Sequence, residues 1–281
     1  MKLFRHGAAG AERPGVVDAK GGLRDLSAHL AGFDAAALSA EGLARIAAID
    51  PAALPMVPDG ARIGAPVPRP VNFICIGLNY ADHAAESNLP IPEEPIIFLK
   101  AGSAYSGPFD DVVIPRGSKE TDWEVELGVV IGTAAHCVTE ADALDHVAGY
   151  CVVNDVSERE YQIKRGGTWD KGKGCPSFGP VGPYLVTSDE VPDPQSLDLW
   201  CEVDGRRMQN GNTRTMIFGV RTLVSYVSQF IALLPGDIIA TGTPPGVGMG
   251  IKPNPVFLRP GQTMRLGIAG LGEQAQKTIG G

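Results

Sequence analysis

The chain has 281 residues, 44% of them hydrophobic, and a formal net charge of −8. That is enough apolar side chain for a sizeable core, in one large domain or two unequal ones, and the acidic balance argues against nucleic acid as a partner. Five cysteines without a C-x-x-C pair point to reduced thiols, and no stretch has the apolar length of a signal peptide or a membrane span, so a soluble cytoplasmic protein is expected.

Residues 1 to about 50 read as a small unit: a strand at 2–5, a hairpin with arms at 15–18 and 23–26 around Lys20-Gly21-Gly22, and a helix near 40–48. Six prolines between 51 and 70 then hold the chain extended. The division expected is a small N-terminal α/β unit with a Pro-rich linker at 1–65, and a main body at 66–281. Residues 71–78 form an apolar run of strand length, after which Asn79 suits the cap of a short helix reaching about Asn88. His83 and Glu86 share a face of that helix at i, i+3, where a carboxylate orients an imidazole and raises its basicity. A general base and a solvated surface pair are the two readings. Leu89-Pro90-Ile91-Pro92-Glu93-Glu94-Pro95 cannot be regular structure and reads as a flexible connection or lid. The strand at 96–100 ends in Lys100, either a substrate-side cation or a strand-end charge.

The strand-like run at 121–130 carries Glu124 and Glu126 on one face, about 6.6 Å apart at two residues' rise. Two such carboxylates in a sheet core repel and lose hydration, which a divalent cation between them offsets. The competing reading is the wet face of an amphipathic strand. Asp155, closing the apolar run at 150–155, offers a third carboxylate and shifts the balance to a metal site. All-oxygen donors favour Mg²⁺, Mn²⁺ or Ca²⁺ over zinc. A helix capped by Thr139 is expected at 139–146, and another begins at Ser157, with Arg159 and Gln162 on one face where they could bind a substrate carboxylate or oxo group. Residues 166–174 hold too much glycine for an element and too much lysine for an idle linker, so Lys171 or Lys173 is expected to face the site.

The second half reads as strands at 181–187 and 197–203, a turn at Asp204-Gly205, a strand from Arg206, and a packing helix at 222–234 that stops at Pro235-Gly236. Strands at 256–258 and 263–268 finish the chain. The loop Thr241-Gly242-Thr243-Pro244-Pro245-Gly246-Val247-Gly248 lacks the lysine of a phosphate-binding P-loop. It either offers backbone N–H groups and the Thr241 and Thr243 hydroxyls to a small oxyanion or is an ordinary turn. The fold class expected is α+β, mainly β.

Together these residues resemble the fumarylacetoacetate hydrolase family from about Val71 to the C-terminus. The resemblance rests on Asn79-Tyr80-x-x-His83-x-x-Glu86, Glu124-x-Glu126, Asn154-Asp155-x-Ser157-x-Arg159-x-x-Gln162 and the loop at 241–248. It implies a mixed β-sandwich roll with short helices, usually a homodimer, with Mg²⁺ on Glu124, Glu126 and Asp155. Counting back from Gly182-Pro183-Tyr184 assigns the family's lysine to Lys173 instead of Lys171. The segment at 162–173 is most similar to hydrolases of 2,4-diketo-3-deoxy sugar acids, some labelled ureidoglycolate lyase, with Pro176 a departure where relatives often have Asp. The reaction implied is Mg²⁺-dependent C–C hydrolysis of a 2,4-dioxo acid, with His83, Glu86 and Lys173 catalytic and Tyr80, Lys100, Arg159, Gln162 and Thr243 contacting the substrate. Oxaloacetate decarboxylation, isomerisation or hydration are alternatives within the family, and a non-catalytic metal- or ligand-binding protein is the alternative of another class.

Overall fold

The computed structural model describes residues 1–281. Fourteen strands carry the architecture: Lys2–His6 (β1), Arg13–Val17 (β2), Leu23–Asp25 (β3), Phe73–Gly77 (β4), Ile96–Leu99 (β5), Val112–Ile114 (β6), Val125–Ile131 (β7), Val147–Asn154 (β8), Leu185–Thr187 (β9), Asp198–Val203 (β10), Arg206–Asn212 (β11), Ile238–Ala240 (β12), Thr263–Ile268 (β13) and Gly272–Gly280 (β14). The helices that matter to the site or the packing are Ala40–Ala47 (α1), Ala81–Glu86 (α2), Asp170–Lys173 (α3) and Val220–Ser228 (α4). A large mixed sheet runs β3-β2-β1-β9-β8-β7-β12-β4-β5, and a second runs β11-β10-β13-β14-β6. The mainly β, α+β architecture with short helices is therefore the one expected. No helix is long and apolar enough to cross a membrane, and all five cysteines are unpaired.

Period-2 alternation explains how the layers stack. Val125, Leu127, Val129 and Ile131 of β7 enter one core with Leu199 and Cys201 of β10 and Leu266 of β13, which joins the two sheets. Val130 takes the opposite parity and enters a second core with Cys151, Val153, Ile238 and Ile46 of α1. Glu126 shares that second parity, at the end of the strand where the apolar packing stops. Gly128 lies between them because Cys151 and Val153 fill its side-chain space: a Cβ there would lie 2.7 Å from each. The N-terminal strands join the large sheet through β1 and β9, with Leu3 opposite Leu185, so strand pairing crosses the division drawn at residue 65.

Several local expectations differ from the structure, each for a tertiary reason. The strand at 121–130 is interrupted at Trp123-Glu124, where the Asn154 and Gln209 side chains take the N–H groups of Glu124 and Val125 at 3.2 and 3.0 Å. The helix at 139–146 is a 3₁₀ turn at Ala143–His146, and the one from Ser157 is a two-residue strand followed by a π-helical turn, Glu160–Lys164. Residues 170–173 form a short helix despite Gly172. α4 ends at Ser228 and leaves Phe230 66% exposed. Residues 256–258 are not a strand, and β14 lay unseen in a polar C-terminal sequence.

Asn79 is not the cap of α2, whose first turn follows Tyr80 without a side-chain cap. Its amide is buried and bridges two loops, donating to Thr241 O at 2.8 Å and Phe218 O at 3.0 Å and accepting from Phe218 N at 2.8 Å. Removing that amide strands one donor and two acceptors, the Thr241 O of them fully buried and the Phe218 groups partly so. Asn79→Ala should therefore lower unfolding stability by about 3 kcal/mol, read as a lower urea midpoint at unchanged slope.

Candidate active site

The convergence of the three carboxylates follows from strand register. Val125 of β7 faces Asn154 of β8, so the next pair out is Glu124 and Asp155, and Asp155 N donates to Glu124 O at 2.9 Å. Glu126 is one pleat back on the same side. One oxygen from each of Glu124, Glu126 and Asp155 lies within 4.8 Å of the others, and all three residues are buried.

Cations already press on this cluster. Lys173 Nζ is 2.7 Å from both Glu124 Oε2 and Asp155 Oδ2, and Arg159 reaches Glu124 Oε1 at 2.7 Å while gripping Asp122 at 2.8 Å. Burial alone would raise the Glu124 pKa, but Lys173 and Arg159 hold it down at about 2. Glu126 behaves in the opposite way: burial, then the charges of Asp155 and Glu124, push it well above the usual carboxylate range, against the charge of Lys173 and a single N–H bond from Gly242 at 2.9 Å. A carboxyl of that kind, beside two others with all-oxygen chemistry, fits a hard divalent cation. Glu124, Glu126 and Asp155 are the residues that would hold it.

The loop at 241–248 turns its backbone N–H groups onto the protein's own carboxylates. Gly242 N donates to Glu126, Gly246 N to Glu86 at 3.0 Å, and Gly248 N to Asp122 at 2.6 Å. Gly242 and Gly246 adopt φ of +94° and +101°, and a Cβ on Gly246 would meet Met208 O at 2.0 Å, so no side chain is tolerated there. Glu86 Oε2 also lies 3.0 Å from His83 Nδ1, which leaves Nε2 for a reacting partner. That assignment of nitrogens follows from the hydrogen bonding.

His83, Glu124, Glu126, Arg159, Gln162, Lys173 and Thr243 all line one cavity of about 400 Å³. Gln162 Oε1 accepts from Arg159, and Thr243 is held by Val125 O and Gln209. Lys171 instead points to Arg165 O at the surface, so Lys173 is the lysine of this pair that faces the cluster. Two expected substrate contacts do not reach the cavity. The Lys100 side chain is fully buried behind Asp155, paired with its Oδ1 and donating to Val156 O at 3.1 Å, and Tyr80 is wholly enclosed with its hydroxyl unpartnered. Lys100 thus acts as an internal counter-charge. Asp122 and Gln209, which help hold this arrangement together, are not singled out by the sequence, although Asp122 lies two residues before Glu124; Asn154 enters there only as part of a motif, without a role.

The family model for the fumarylacetoacetate hydrolase C-terminal domain matches residues 72–279. A Burkholderia ambifaria protein named "Putative hydrolase" is 66% identical over 278 residues, 99% of each chain. Among solved structures, the fumarylacetoacetate hydrolase of Exiguobacterium antarcticum is 34% identical with a TM-score of 0.85, covering 100% of both chains. Maleylpyruvate hydrolase of Sphingobium sp. SYK-6, solved with manganese(II) and pyruvate, is 33% identical with a TM-score of 0.81 over the same full coverage.

Two outcomes follow from this geometry. Mn²⁺ at about 100 times its Kd should stabilise the protein against unfolding by about 2.7 kcal/mol, and Asp155→Asn should abolish that gain in a metal titration followed by thermal denaturation. Lys100→Met should destabilise the metal-free protein by about 3–5 kcal/mol in urea denaturation, because it leaves Asp155 with Lys173 as its one remaining cation.

Proposed function

The chain belongs to the fumarylacetoacetate hydrolase family, and from that premise we propose that it hydrolyses a C–C bond in a 2,4-dioxo acid of the acylpyruvate type, releasing pyruvate and a carboxylic acid. Members of this family are enzymes acting on small molecules. The observation that carries the reading is that Glu124 and Glu126 of the three-carboxylate cluster line one cavity with Lys173 and a Glu86-oriented imidazole, with Asp155 buried directly behind them. The relative solved with manganese(II) and pyruvate supports both the ion class and the product of this reading. Mg²⁺ is the ion proposed, with Mn²⁺ able to replace it at an all-oxygen site.

When bound to Glu124, Glu126 and Asp155, the ion supplies Lewis acidity that draws off the charge released as the carbon skeleton splits. His83 Nε2 takes a proton from the attacking water, with Glu86 and the Gly246 N–H fixing the ring. Water adds at the 4-carbonyl, the bond from C3 to C4 breaks, and its electron pair forms the enolate of pyruvate, which is then protonated at C3. The Lys173 ammonium, kept charged by Asp155 and Glu124 although burial opposes it, stands beside the developing negative charge. Arg159, Gln162 and Thr243 orient the acid. A homodimer, implied by the resemblance, completes the proposal. The substrate implied by the resemblance is a 2,4-diketo-3-deoxy sugar acid, whose hydroxylated acyl half needs polar partners in the rest of the cavity.

His83→Ala should lower turnover of an acylpyruvate by roughly 10²- to 10⁴-fold while Mn²⁺ still binds, measured as loss of the β-diketone absorbance with pyruvate release. Carbon dioxide or an isomer in place of pyruvate and an acid would assign the decarboxylase or isomerase chemistry instead.

A further inference from the structure

Beyond its catalytic groups the cavity is made mostly of carbon. From Lys173 the wall passes to Phe98, whose ring centre is 5.1 Å from Nζ, and then to Trp169, edge-on to Phe98 at 5.2 Å. Trp169 lies so close over Gly77 that a Cβ there would sit 2.3 Å from the indole ring, so the glycine is what admits the aromatic wall. Ile96, Leu89, Ile163 and Met249 enclose the remainder. The polar groups of the cavity are largely committed. Glu124, Arg159 and Lys173 bind one another's charges, and Thr243 is held by Val125 O and Gln209. Apart from the His83 base and one oxygen of the candidate ligand Glu126, the lining side chains offer only the Ser87 hydroxyl, the Gln162 amide N–H₂ and the Trp169 indole N–H without a protein partner. Of the nearby surface cations, Lys164 pairs with Glu120 and Arg165 with Glu160, Lys171 donates to Arg165 O, and none of the three lines the cavity.

A polyhydroxylated tail would therefore leave most of its hydroxyls desolvated and unpaired, and a tail carboxylate would meet no free cation. An alkyl or aryl tail loses nothing on leaving water and gains roughly three- to fourfold in binding per buried methylene. We propose that the acyl half of the substrate is an uncharged apolar chain or ring seated against Phe98, Trp169 and Ile96, and that this wall sets specificity. The inference rests on the acylpyruvate reading for the head of the substrate and adds the chemistry of its tail.

The test is a panel of acylpyruvates assayed with the Mn²⁺-loaded wild-type protein, alongside calorimetric affinities of 2-oxo acids bearing the same tails. kcat/KM should rise roughly threefold per methylene from acetylpyruvate to hexanoylpyruvate. Tails of equal length that end in a carboxylate or carry several hydroxyls should be at least about tenfold poorer, and 2-oxooctanoate should bind more tightly than 2-oxoglutarate. Trp169→Ala should cut the ratio of kcat/KM for benzoylpyruvate over acetylpyruvate by about tenfold. Polar tails cleaved and bound as well as apolar ones of the same length would overturn the inference and leave the hydrolase reading standing. If no panel member is cleaved but 2-oxooctanoate still binds preferentially, the reaction assigned above is wrong and the apolar tail site is upheld.

Discussion

The structure depends on how four buried carboxylates are kept from repelling one another. Asp122, Glu124, Glu126 and Asp155 face three cations, Lys100, Arg159 and Lys173, all within the same interior. One negative charge is left without a partner. It falls on Glu126, the carboxyl that burial and its two acidic neighbours drive towards the protonated form. Leaving a buried charge unpaired is costlier than burying a matched pair, so the cluster is balanced only by a proton on Glu126 or by a further cation. The geometry that makes a metal attractive is thus the same geometry that makes the metal-free protein electrostatically strained.

The glycine loop at 241–248 supplies the other half of the balance. Three of its N–H groups are spent on Glu126, Glu86 and Asp122, carboxylates that serve as candidate ligand, as the group orienting His83, and as the anchor of Arg159. A single short segment therefore sets the relative positions of three parts of the site. Its left-handed glycines are needed because the chain must turn its amides inward while passing close to Asn79 and Met208. A loop able to bind a free anion would need those amides unengaged, and here they are not.

What could be read from the sequence follows from this division. Parity along one strand places Glu124 and Glu126 on one side, and i, i+3 spacing places His83 beside Glu86, so both pairs were legible locally. Asp155 joins them only through the register of β7 against β8, which no local pattern states. Asn79 looked like a helix cap because a short amide before a helix usually is one, but three backbone partners from distant loops outcompete the single bond a cap provides. Lys100 looked like a cation available to substrate, and the fold places it behind Asp155 as a counter-charge. The interruption at Trp123-Glu124 was invisible because it is enforced by the amides of Asn154 and Gln209, residues with no intrinsic reason to break a strand.

The charge balance also bears on what can enter the cavity. A divalent ion would turn the single surplus negative charge of the cluster into a single surplus positive one, a site that attracts the carboxylate head of a 2-oxo acid and holds it beside Lys173. Once that head is bound, the site is close to neutral, and nothing further along the wall of Phe98, Trp169 and Ile96 can compensate a second charge. For the substrate proposed above, electrostatics would therefore set the orientation, head towards the carboxylates and tail towards the aromatic wall, and the low-polarity surroundings would strengthen each interaction of Lys173 with charge developing on it. In that proposal, the same mostly carbon wall that offers the tail few hydrogen bonds would keep the head's electrostatics strong.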